Sequence, residues 1–134
     1  MPEAFADRAL TVLIADDHPL VRDGVRDALT RCGVNVCAEA ADTAGAVEAA
    51  VRERPDVCLL DIDMPGNGIV AAREISQRLP ETAVVMLTVS DDELDLLAAV
   101  RAGAVGYLLK DSDPDRLAFA LHGASPARPR CHAG

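Results

Sequence analysis

LTVLIADD, residues 10–17, is an apolar run that ends in two adjacent carboxylates, and the pattern recurs along the chain. DVCLLD at 56–61 ends in Asp61, AVVMLT at 83–88 in Thr88, and AVGYLLK at 104–110 in Lys110. Short apolar runs bounded by turn formers read as buried strands. The run 57–60 is apolar at every position, which predicts a central strand buried on both faces. A shorter run, 34–38, gives a short second strand and brings the count to five.

Between these runs the apolar residues take helical spacing. Leu20, Val21, Val25, Ala28 and Leu29 mark a first helix, with Pro19 in its first turn and Gly33 as its stop. Asp42 or Thr43 caps a second helix with an apolar face of Val47, Ala50 and Val51, ended by Pro55. After the turn-rich MPGNG of 64–68, a third helix carries Ile69, Ala72, Ile75 and Leu79. Ser90 or Asp91 caps a fourth along Leu94, Leu97, Ala98 and Arg101, closed by Gly103. Asp113 and Pro114 open a last helix through Leu117, Ala118 and Leu121. Strand and helix alternate five times, the signal for an α/β fold with a parallel sheet covered on both faces. Residues 1–9 read as an N-terminal extension, 10–122 as one domain and 123–134 as a linker stub or frayed tail.

In such a sheet every carboxyl end points to one edge, where ligands bind. Asp16, Asp17, Asp61, Thr88 and Lys110 are therefore predicted to converge. Three carboxylates that close repel one another, so a divalent cation must offset their charge or some pKa values must rise. Mg²⁺ fits, because it takes hard oxygen ligands through a few carboxylates plus phosphate. A carboxylate attacking phosphorus also needs the incoming anion neutralised, a task for the metal and Lys110. The product is an acyl phosphate. Each residue has a plainer use as well: a helix cap for Asp16 and Asp17, a turn for Asp61, an ordinary strand position for Thr88 and a solvated charge for Lys110. The joint pattern makes the case. His18, beside two carboxylates, is read as opening the first helix rather than as a ligand.

Composition narrows the partners. The 134 residues are 50% hydrophobic but only 2% aromatic, so the core is built of Ala, Val, Leu and Ile. A net charge of −9 disfavours unaided contact with nucleic acid or an anionic membrane. No apolar run is long enough to cross a bilayer, and MPEAFADR is unlike a secretory signal. The four cysteines lack metal-type spacing, and a reducing cytoplasm is the expected home.

These segments resemble the receiver domain of bacterial two-component response regulators, and ADDHPLVRDGVR at 15–26 is most similar to the NarL/LuxR group. The resemblance covers about residues 10–122 and implies a (βα)5 doubly wound parallel sheet in the order 2-1-3-4-5. It implies a phosphoryl group passed from a sensor histidine kinase to Asp61. Asp17 then matches the direct Mg²⁺ ligand, Asp16 the ligand acting through water, and Asp63 a backbone carbonyl ligand. Thr88 matches the hydroxyl that meets the phosphoryl oxygens, Lys110 their ammonium partner and Tyr107 the switch aromatic; Tyr107 alone would pass for a half-buried strand residue. The output surface implied is the fourth helix, fifth strand and fifth helix, where a phosphorylation-dependent homodimer or effector contact is expected near Leu94, Leu97 and Arg101. NarL/LuxR regulators control transcription through a C-terminal helix-turn-helix domain. Nothing after Gly123 resembles one, so this chain is not expected to bind DNA.

The resemblance has one departure. Receivers of this type usually read D-x-x-M-P-G-x-D/N-G, whereas DIDMPGNG is one residue shorter before the last glycine. Two other readings compete. A haloacid-dehalogenase-like phosphatase also uses an aspartate in a DxD motif, which Asp61-Ile62-Asp63 imitates. In that family, however, the DxD lies on the first core strand and the metal acids follow the lysine. A receiver-like interaction module that is never phosphorylated would typically lack the acceptor or the metal acids, and all are present here. The expected activity is that of a signalling switch, catalysing only its own phosphorylation and dephosphorylation.

Overall fold

A computed structural model describes residues 10–88 and 93–110, the side chains of 93–95 excepted. The expected N-terminal extension, the cap at Ser90 or Asp91, the side chain of Leu94, the last helix with Leu117, Ala118 and Leu121, and the tail all lie outside the described residues.

The order of elements is β1 (Thr11–Ala15), α1 (Pro19–Arg31), β2 (Asn35–Ala40), α2 (Thr43–Glu53), β3 (Val57–Asp61), α3 (Gly68–Arg78), β4 (Ala83–Thr88), α4 (Glu93–Arg101) and β5 (Gly106–Leu109). All strand pairs are parallel, and the sheet runs β2-β1-β3-β4-β5 as expected. Alternate residues of a strand point to opposite faces. Leu13, Cys58, Leu60, Val84 and Met86 accordingly meet Ala46, Ala50, Ala71, Ala72, Ile75 and Ala99 of α2, α3 and α4. Val12, Ile14, Val57, Leu59, Val85 and Leu87 meet Val25 and Leu29 of α1.

Several expectations need adjusting. β2 runs to Ala40 rather than over 34–38, while Val34 is buried just before it. Asp42, not Thr43, caps α2, its side chain accepting from the Gly45 N–H at 2.7 Å. The buried face of α2 is Ala46, Val47, Ala49 and Ala50, and Val51 lies off that stripe, 38% exposed. α4 buries Ala99 and leaves Leu96, Leu97 and Val100 outward. Both helices turn their small residues to the sheet, so alanine spacing, and not the largest side chains, marks the inner face. Leu20 is likewise 86% exposed at the mouth of the sheet edge.

The chain reverses direction of winding between β1 and β3, so the carboxyl ends of those two strands flank the switch point where open α/β sheets bind ligands.

Candidate functional site

β1 and β3 deliver the two central carboxylates. Asp16 follows β1, its N–H continuing the ladder to the Ala40 carbonyl at 2.9 Å, and Asp61 closes β3 opposite Leu87 of β4. Both are fully buried, as is Thr88 at the end of β4. Lys110 follows β5, and its N–H donates to the Thr88 carbonyl at 2.6 Å. From there its side chain, only 8% exposed, reaches across the edge: Nζ lies 3.0 Å from Asp16 Oδ2 and 3.1 Å from Asp61 Oδ1.

The remaining acceptors are only partly satisfied. Asp61 Oδ1 also accepts from the Asp63 N–H at 3.2 Å, but the buried Asp61 Oδ2 has no partner among the described residues. Asp16 Oδ2 and Asp17 Oδ1 meet Lys110 and His18 at ion-pair distance, yet neither has a hydrogen bond of good angle. Buried polar atoms are rarely left so. Burial pushes the Asp61 pKa up and the Asp16 charge adds to it, against the opposing pull of Lys110 and the Asp63 N–H. Burial works against the Lys110 ammonium, but the Asp16 and Asp61 carboxylates outweigh it and its pKa rises too. Crowded carboxylates thus retain an excess of negative character that one lysine does not remove.

His18 is the N-cap of α1, though its side chain caps nothing. Its N–H donates to Asp16 Oδ1 at 2.9 Å, and its ring Nδ1 lies 3.1 Å from both Asp16 Oδ1 and Asp17 Oδ1. One donor atom each from Asp16, Asp17, His18 and Asp61 can be chosen so that all four lie within 4.8 Å of one another. Sequence reasoning placed His18 correctly at the start of the helix and missed where its ring points. It also passed over Arg22, which donates to the Asp16 carbonyl at 2.7 Å and pairs with Glu39 at 3.2 Å, tying the acidic turn to β2. The signal available was its place one turn after the acidic pair. Of the other expected residues, Asp63 has an exposed side chain, and Tyr107 is half-buried within β5, packed on the alanine-rich side of the core.

The contracted loop is compact. Asn67 N–H donates to the Met64 carbonyl at 2.9 Å, Gly68 N–H to the Ile62 carbonyl at 2.9 Å, and Met64 is buried. Asn67 takes φ 74°, its side chain accepting from the Ile69 N–H at 2.7 Å to start α3. Thr43 braces the loop from α2, its N–H donating to the Pro65 carbonyl at 2.9 Å and its hydroxyl to the Asn67 carbonyl at 2.8 Å. α3 starts hard against the end of β3: a Cβ on Gly68 would overlap the Asp61 carbonyl oxygen.

Similarity to known proteins fits this geometry. The family model of the response regulator receiver domain matches residues 12–122. The nitrate/nitrite response regulator protein NarP of Escherichia coli is 45% identical over 90% of this chain and 56% of its own length. The uncharacterized transcriptional regulatory protein YxjL of Bacillus subtilis is 42% identical over 87% of this chain and 54% of its own. The chain thus spans about half the length of these curated relatives. Among solved structures, the receiver domain of the response regulator NarL of Mycobacterium tuberculosis superposes with a TM-score of 0.84 at 39% identity, covering 90% of this chain and 99% of that one. No helix among the described residues is long and apolar enough to cross a membrane.

Proposed function

The chain belongs to the response regulator receiver domain family, in its NarL/LuxR branch, and from that premise we propose that Asp61 is its phospho-acceptor. The observation that carries this is the buried Asp61 Oδ2, left without a partner among the described residues while Oδ1 is held by Lys110 and the Asp63 N–H. A carboxylate with one oxygen fixed and one open is oriented to attack. Its oxygen forms a bond to phosphorus as the bond to the donor's leaving group breaks, giving an acyl phosphate. Receivers take the group from sensor histidine kinases, and a partner of that class is proposed here.

Lys110, already between Asp16 and Asp61, supplies a positive charge where the phosphoryl oxygens arrive, with no reorganisation at the moment of reaction. Thr88, buried at the adjoining strand end, is assigned the hydroxyl that bonds those oxygens afterwards. The three carboxylates with their unsatisfied oxygens fit Mg²⁺; Asp17 would hold it directly, Asp16 through water, and Asp61 together with the Asp63 carbonyl. When bound, Mg²⁺ supplies charge neutralisation to the incoming phosphoryl group. This is a self-modifying switch within a domain of about residues 10–122, not an enzyme for a separate substrate. Its output in the whole protein is transcriptional control in the cytoplasm, read from the surface of α4 and β5 together with the last helix expected from the sequence.

Intact-mass labelling with acetyl phosphate and Mg²⁺ tests the acceptor. Wild type should gain one phosphoryl group and Asp61→Asn none; equal gain in both would refute the assignment. Metal titration tests the ligands: Asp17→Ala should weaken Mg²⁺ more than Asp16→Ala, and matching affinities would remove the distinction.

A further inference from the structure

His18 stands outside the chemistry proposed above, yet its ring nitrogen lies against two of the carboxylates, hydrogen-bonded to Asp16 Oδ1 and beside the Asp17 Oδ1 that lacks a hydrogen bond among the described residues. Nδ1 is 3.1 Å from Asp16 Oδ1 and from Asp17 Oδ1, and its donor atom shares the 4.8 Å cluster with Asp61. Lys110 occupies the opposite side, at Asp16 Oδ2 and Asp61 Oδ1. What remains is a set of carboxylate oxygens without a hydrogen bond among the described residues, the buried Asp61 Oδ2 included, and the imidazole nitrogen beside Asp17 Oδ1. With Lys110 counted, a divalent cation would balance the three carboxylates.

We propose that this site also takes a borderline divalent cation of the Zn²⁺ or Co²⁺ class, with His18 as its nitrogen ligand, in competition with Mg²⁺. The inference deepens the receiver reading of the same site and rests on it. Mg²⁺ prefers oxygen ligands in near-octahedral array and keeps its waters, so His18 offers it little. Zn²⁺ and Co²⁺ bind imidazole readily, and Zn²⁺ is satisfied by four ligands drawn from carboxylate oxygen and histidine nitrogen. Four protein ligands would close the coordination sphere and leave no position for a phosphoryl oxygen. A cation held this way therefore keeps the receiver unphosphorylated, and the ratio of the two kinds of metal becomes a second input to the switch. His18 is suited to such a role because its side chain is 59% exposed and can swing onto a cation without disturbing the core.

Co²⁺ is the probe, since its visible absorption reports nitrogen ligation and low coordination number. Wild type, His18→Gln and Asp61→Asn are titrated with Co²⁺, Zn²⁺ and Mg²⁺, and labelling by acetyl phosphate is followed on the same samples. The expected result is a Co²⁺ spectrum displaced by excess Mg²⁺. His18→Gln should weaken Co²⁺ and Zn²⁺ by about tenfold or more while moving Mg²⁺ less than about threefold. Zn²⁺ should suppress labelling in wild type and do so far less in His18→Gln. Parallel shifts for all three cations, or none, would overturn the role of His18 and leave the receiver reading intact. A Co²⁺ signal that survives Asp61→Asn belongs to other ligands and overturns it too. Loss of Mg²⁺-dependent labelling in the wild type would instead sink the receiver reading itself.

Discussion

An aspartate stands at either limit of β3, Asp56 just before it and Asp61 as its last residue, and the two are treated in opposite ways. At the amino edge Asp56 Oδ2 accepts from the Thr11 N–H at 3.0 Å and the Thr11 hydroxyl at 3.1 Å, while the Asp56 N–H is bonded to Thr11 Oγ1 at 2.9 Å. The Asp56 carbonyl takes the Ala83 N–H at 3.0 Å, so one residue staples β1, β3 and β4. Five positions on, Asp61 is more deeply buried, has an oxygen without a partner among the described residues and faces a second carboxylate. A satisfied buried acid stabilises the fold; an unsatisfied one costs stability and persists where a ligand completes it. The same strand thus anchors at one edge and reacts at the other.

The largest stability effect should come from the reactive edge. Gly68→Ala would drive a methyl into the Asp61 carbonyl oxygen, a backbone atom with no rotamer to yield. We expect a loss of about 3 kcal/mol or more in urea unfolding, since overpacking against backbone cannot relax locally. If the variant instead melts like wild type, the contracted loop is slack and α3 is not pressed onto β3. Loss of labelling without loss of stability would show that the contact serves only to aim Asp61.

Next in size is the anchor. Asp56→Ala removes an acceptor of two bonds and should cost about 2 kcal/mol, the range for hydrogen bonds to a charged group. Labelling of Asp61 should survive in the folded fraction. Asp61→Asn is the mirror image, keeping the fold and losing the label. Labelling that fails in folded Asp56→Ala would break the division between the two edges.

Much of this was legible in the sequence, because strand-ending residues in a parallel sheet share an edge wherever they lie in the chain. Asp16, Asp61, Thr88 and Lys110 were placed by that rule alone, and the strand order came from resemblance. What stayed hidden depends on side-chain direction. Val51 was expected on the apolar face of its helix by size and spacing, but alanines fit more closely against the sheet. His18 and Arg22 lie in the first turn after the acidic pair, and only the turn itself reveals that both reach back to Asp16. Asp56 drew no notice because its partner, Thr11, is an ordinary strand residue 45 positions away.

A smaller effect separates the two edges by pH. The folded chain holds the Asp61 pKa above the ordinary 3.8, so folding favours its protonated form. That contribution is fully present below 3.8 and is lost as pH rises through the raised value. Asp61→Asn has no such loss. In metal-free melts the variant should therefore gain on wild type as pH climbs from below 3.8 to neutral, and the gap should close when Mg²⁺ stabilises the wild type. Parallel curves across that range would mean that Asp61 is satisfied after all, and the contrast with Asp56 would fail.

The smallest change in stability, and the most pointed about output, is expected at Thr88. Its main chain is bonded to Lys110 at 2.6 Å, and β4 pairs with β5 so that Met86 lies beside Tyr107. A phosphoryl group on Asp61 that draws the Thr88 hydroxyl toward it pulls on a strand end coupled directly to β5. Tyr107, half-buried in β5, would then turn into the space vacated, a two-state element biased by local charge. Thr88→Ala removes the hydroxyl and little volume, so Asp61 should still be labelled. Amide exchange over residues 93–110, with and without a phosphoryl mimic such as beryllofluoride, should show a protection change in wild type that is blunted in the variant. An undiminished change in Thr88→Ala would mean that the signal leaves the site through Lys110 or the loop after Asp61, and the hydroxyl would then be a ligand of the phosphoryl group without being its messenger.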